Sequence, residues 1–96
     1  MSETKPAPEP SKTIEVDPPI AFGNKTFDRL DLHEPTAVAV DKAMQERTSV
    51  RTMIVLVSHV AQWPAGAVEK LPISVLMEAG EYCLDFFGSG RKTGEN

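Results

Sequence analysis

The residues of this chain that could do chemistry are two histidines, one cysteine, a serine beside a histidine, and a short run of carboxylates. His33 and His59 lie in separate segments, and His59 has no Asp or Glu three or four positions away. It therefore forms no local metal pair on a helix. Ser58 directly precedes His59, and neighbouring side chains on a helix diverge, so the two make no dyad. Cys83 is the only cysteine, which excludes a disulfide and a thiolate metal cluster. Its apolar surroundings read as those of a small core residue, not a nucleophile. Glu78, Glu81 and Asp85 share a helical face, but acids on an otherwise apolar helix form its solvated strip. Gly88-Ser89-Gly90-Arg91-Lys92 has the glycines of a phosphate loop without the preceding strand, the spacing or the following helix. No enzyme motif survives. The chain is expected to have no catalytic, cofactor or metal site and to act by binding another protein.

The totals agree. A chain of 96 residues makes one domain. A domain this small buries only about 60% of its unfolded surface and usually gains stability from disulfides, a metal or a partner. A partner, or a homo-oligomer, is what remains. The net charge of -4 opposes nucleic-acid binding, which needs Lys and Arg against phosphates. No apolar run approaches the roughly 18 residues of a membrane span. Met1-Ser2-Glu3-Thr4-Lys5-Pro6 has no apolar stretch of a secretory signal, so a reducing cytoplasm is expected.

The elements that must position these residues follow from period and punctuation. Residues 1–12, with Pro6, Pro8 and Pro10, are expected to be a disordered arm, and 89–96 a flexible tail. Residues 13–88 then form the single domain. Thr13-Ile14-Glu15-Val16-Asp17 alternates as a half-buried strand does. Pro18-Pro19 interrupts it, Gly23-Asn24-Lys25 signals a turn, and Phe27 to Leu32 alternates again. Residues 13–33 thus read as a hairpin. Glu34-Pro35-Thr36 starts a first helix, about Ala37 to Arg47, with Thr36 as cap. Thr48 or Ser49 caps a second helix, about Val50 to Trp63, stopped by Pro64. Its Met53-Ile54-Val55-Leu56-Val57 run makes it the central, most buried one. Ala65 to Lys70 has the length of one short helical turn. Pro72 suits the first position of a third helix, ending at Phe87 with Gly88 as left-handed cap. The class is α+β, a hairpin followed by three helices.

The last helix carries apolar residues around most of its circumference. Ile73, Leu76, Met77, Gly80, Leu84 and Phe87 form one stripe. Val75, Ala79, Tyr82 and Phe86 form a second, with Ser74, Glu78, Glu81 and Asp85 as a polar strip between them. One helix packing on one neighbour needs one stripe. The second is covered by the hairpin, by a partner helix, or by both, since the two are compatible, and Val75, Ala79, Tyr82 and Phe86 are the candidate protein-binding residues.

The order of these pieces resembles a family. Leu30-Asp31-Leu32-His33-Glu34-Pro35-Thr36 is similar to the strand, leucine pair and acidic-Pro-Thr helix start of the small tail assembly chaperones of contractile-tailed phages of the Mu and P2 kind. Pro19-Ile20 before a glycine turn, the Val60-Ala61-Gln62-Trp63-Pro64 step, and Val68-Glu69-Lys70-Leu71 before a final apolar helix fit the same pattern, over about Thr13 to Phe87. His33 stands where many members have a basic residue, and Ser74 where many have Asp. The resemblance implies that the chain binds the tape measure protein and keeps it soluble until tail tube protein, a second partner, polymerises around it. It implies presence in the host cytoplasm and absence from the mature virion. Two other readings compete: a small structural virion protein at a tail or head junction, and a helix-turn-helix regulator. The second is opposed by the acidic last helix.

Overall fold

The computed structural model describes residues 9–90. It holds a two-stranded antiparallel hairpin, β1 (Ser11–Phe22) and β2 (Lys25–His33), followed by α1 (Ala37–Met44), α2 (Ser49–Ala61), α3 (Ala65–Val68) and α4 (Ile73–Gly90). The α+β class with a leading hairpin is what the sequence leads one to expect. The short turn after Pro64 is a helix of its own, so the described residues hold four helices where three and a short turn are expected.

The hairpin turns on Gly23, whose positive φ of 65 is the conformation a tight two-residue connection demands. Ile14 pairs with Leu30, and Ile14, Val16, Leu30 and Leu32 are all buried on one face. The opposite face is polar: Thr13 donates to Asp31 at 3.0 Å and Arg29 lies 3.4 Å from Asp31. The register breaks between Glu15 and Ile20, where Pro18 and Pro19 cannot donate to the ladder. Of the arm expected over 1–12, Ser11 and Lys12 lie in β1. Ser11 and Lys12 pair with His33 and Leu32, because β2 runs on far enough to hold them. Residues 1–8 lie outside the described residues.

The helices start and stop on local chemistry. The Thr36 hydroxyl accepts from the Ala39 N–H at 3.2 Å and that of Thr48 from the Arg51 N–H at 3.1 Å, so each hydroxyl satisfies an amide with no helical partner. Thr48 must be extended to cap α2, with φ -115 and ψ 157. That is why α1 ends at Met44 rather than Arg47. Helix α2 ends at Ala61 rather than Trp63, because Gln62 turns left-handed at φ 61 and the Trp63 N–H reaches back to the Ser58 carbonyl at 3.2 Å. Pro72 provides the carbonyl that accepts the first bonds of α4. That helix continues through Gly88, the expected cap, to Gly90; glycine permits a left-handed stop without requiring one. The tail expected over 89–96 therefore begins inside α4, and residues 91–96 lie outside the described residues.

As its apolar run requires, α2 is central. It touches β2, α1, α3 and α4, and Ile54, Leu56, Val57 and Val60 are buried. Trp63, just past its end, ties it to the hairpin. The indole N–H donates to the Arg29 carbonyl at 3.1 Å, and the ring packs on Phe27 with centroids 4.9 Å apart.

Candidate protein-binding surface

Helix α4 decides which apolar surface is open. Ala79 and Tyr82 are buried, and Val75 and Phe86 are half-buried and packed against the core. The hairpin lies over this stripe, since both β1 and β2 touch α4. Tyr82 is only 8% exposed; its hydroxyl donates to the Glu9 carbonyl, and its ring meets Phe86 edge-on at 5.3 Å. Burial pushes the Tyr82 phenol up. Ala79 and Tyr82 are taken up by the fold, while Val75 and Phe86 keep part of their surface open.

The other stripe is divided. Leu76 and Gly80 are buried. At Gly80 α4 comes close to α2: a Cβ there would lie 3.0 Å from the Met53 side chain. Ile73, at 59%, and Met77, at 37%, are exposed one turn apart, with Leu84 half-buried further along the same line. Beside them Ser74, Glu78, Glu81 and Asp85 are all exposed, and a shallow groove of about 370 Å³ runs along this side, lined by Met77 and the three acids among others. Lys12 approaches Glu78 at 3.6 Å.

The remaining candidates behave as follows. Cys83 is fully buried, and burial pushes its thiol up to about 11, so it stays protonated at neutral pH. The Ser58 hydroxyl donates to the Trp63 carbonyl at 2.8 Å and belongs to the end of α2, not to His59. His33 and His59, far apart in sequence, line one small cleft with Thr36 and Gln62, an approach no local spacing could reveal. There His33 Nδ1 donates to the Glu34 carbonyl at 2.9 Å. Among the described residues, no three His, Cys, Asp or Glu side chains are placed to hold a metal ion, and no helix is long and apolar enough to cross a membrane.

Sequence reasoning missed the exposed half of the first stripe. The signal was there: Ile73 and Met77 border the acidic strip, so they lie nearest solvent once the opposite side of the helix is covered. What the geometry shows is an exposed apolar line beside an acidic strip on a hairpin-and-helix domain. The family model described as "Phage tail assembly chaperone proteins, E, or 41 or 14" matches residues 13–88, and the chain belongs to this family of phage tail assembly chaperones. No curated protein and no solved structure matches it. A chaperone family is not a class of enzymes, and membership implies binding to phage tail proteins.

Proposed function

We propose that the chain binds the tape measure protein of its phage tail and keeps it soluble until tail tube protein polymerises around it. It does so in the host cytoplasm and is left out of the finished particle. The observation that carries this reading is the large apolar side chain left open on so small a domain: Val38 is 63% exposed, and Met44, Val50, Ile73 and Met77 are exposed too. Exposed apolar residues are ordinary when single, but neighbouring ones mark interaction sites. A long helical chain with uncovered apolar faces aggregates unless something occupies those faces, and tube subunits that bind the same faces would displace the occupant.

Co-expression tests it. The tape measure protein should stay in the supernatant with this chain present and pellet without it. Pelleting in both cases would remove the reading. Mass spectrometry of purified particles separates it from a structural virion protein: a chaperone should be missing, while one copy per tail subunit would favour the structural role.

A further inference from the structure

From the open side of α4 we infer what the bound segment must look like, an inference that rests on the proposed function for the identity of the partner. The segment is an amphipathic helix of the tape measure protein whose apolar stripe is bordered by Lys or Arg. It lies along Ile73, Met77 and Leu84, with its basic border over Glu81 and Asp85.

At 100° per residue, Ile73, Met77 and Leu84 fall within one narrow line along α4, and Ser74, Glu78, Glu81 and Asp85 fall in the next sector. The apolar line from Ile73 to Leu84 is about 16 Å long, enough for three turns of a partner helix. Its other flank is closed by α2, which meets α4 at Gly80 through Met53. The partner therefore sees an apolar line with carboxylates along one side only. Among the described residues, Glu78 has Lys12 beside it, and neither Glu81 nor Asp85 forms an ion pair. A second copy of this chain is a poor occupant: it would set carboxylate strip near carboxylate strip between chains that each carry -4. A basic-bordered apolar helix meets both features at once, by burial of the line and by opposite charge at its edge.

The test uses the full chain and two synthetic three-heptad helical peptides with Leu at the a and d positions, one with Lys and one with Glu at e and g. The Lys peptide should bind at least about tenfold more tightly than the Glu peptide, and its advantage should shrink as salt rises. Glu81→Lys with Asp85→Lys should invert the preference. Ile73→Ser with Met77→Ser should weaken both peptides about tenfold or more. All four positions are half-exposed or exposed, so thermal melts should stay near those of the unaltered chain; Met77→Gln with Glu81→Gln replaces any variant that does not fold. Equal binding of the two peptides, or binding unchanged by the substitutions, would overturn the inference.

Co-expression with the tape measure protein distinguishes this failure from failure of the proposed function. If the unaltered chain and both variants hold it in solution, the function stands and this surface is wrong. If the unaltered chain does not, while the peptides obey the pattern, the surface stands and the partner is a different basic-bordered helix.

Discussion

Cys83 has no exposed surface, and burial lifts its thiol to about 11 from an ordinary 9.0. Below pH 9 folded and unfolded chains both hold the proton, so the thiol adds no pH dependence. Above pH 9 the unfolded chain loses it first, and stability falls by about 1.4 kcal/mol per pH unit until the folded thiol also ionises. Urea melts should therefore show a loss of about 2 kcal/mol between pH 9 and 11 that is absent from Cys83→Ala; matching pH profiles would mean that the thiol is solvated. Tyr82 makes a second case at this scale. Its ring is core, so Tyr82→Ala should destabilise the domain by about 3–5 kcal/mol. Tyr82→Phe, which loses only the bond to Glu9, should cost about 1 kcal/mol. A Tyr82→Ala chain with an unchanged melt would show that the ring is a surface group.

Between elements, Trp63 is one of the joins of hairpin and helices. It leaves α2 just where Gln62 turns left-handed, and its N–H crosses to β2 at Arg29. A lone two-stranded sheet is barely stable in water, and this crossing adds to the packing of Ile14, Val16, Leu30 and Leu32 that holds the hairpin on the helices. Trp63→Ala should cost about 3–5 kcal/mol, and Trp63→Phe about 1–2 kcal/mol by deleting the donor while keeping a ring on Phe27. Chemical denaturation gives both values. Amide exchange should show β1 and β2 losing protection before α2 in the alanine variant; simultaneous loss would make hairpin and helices one cooperative unit not joined through this residue.

For the molecule as a whole, Glu9, Ser11 and Lys12 belong to the fold. Ser11 and Lys12 extend β1, and Glu9 accepts the Tyr82 hydroxyl. A chain trimmed to residues 9–90 should melt above one trimmed to 13–90 by several degrees, since about 1–2 kcal/mol of pairing and hydrogen bonding is lost and each kcal/mol is worth about 4–8 °C at this size. Equal melting temperatures would return those residues to the arm. The Lys12–Glu78 pair is largely solvated, so Lys12→Ala alone should change little.

The sequence by itself determined the parts whose cause is local. Alternation put Ile14, Val16, Leu30 and Leu32 on one face of a hairpin, glycine marked its turn at Gly23, threonine hydroxyls began α1 and α2, and an unbroken apolar run made α2 central. Each follows from a few neighbouring residues and the period of the backbone. Tertiary structure alone decided what lies against what. Both stripes of α4 are apolar in the sequence, and period cannot say which one a hairpin some fifty residues earlier will cover. The burial of Tyr82, the exposure of Ile73 and Met77, the reach of Trp63 to Arg29 and the placing of His33 and His59 around one cleft all arise between distant segments. They depend on how closely α2 and α4 approach at Gly80 and where the hairpin docks, properties of a packed whole that no local window contains.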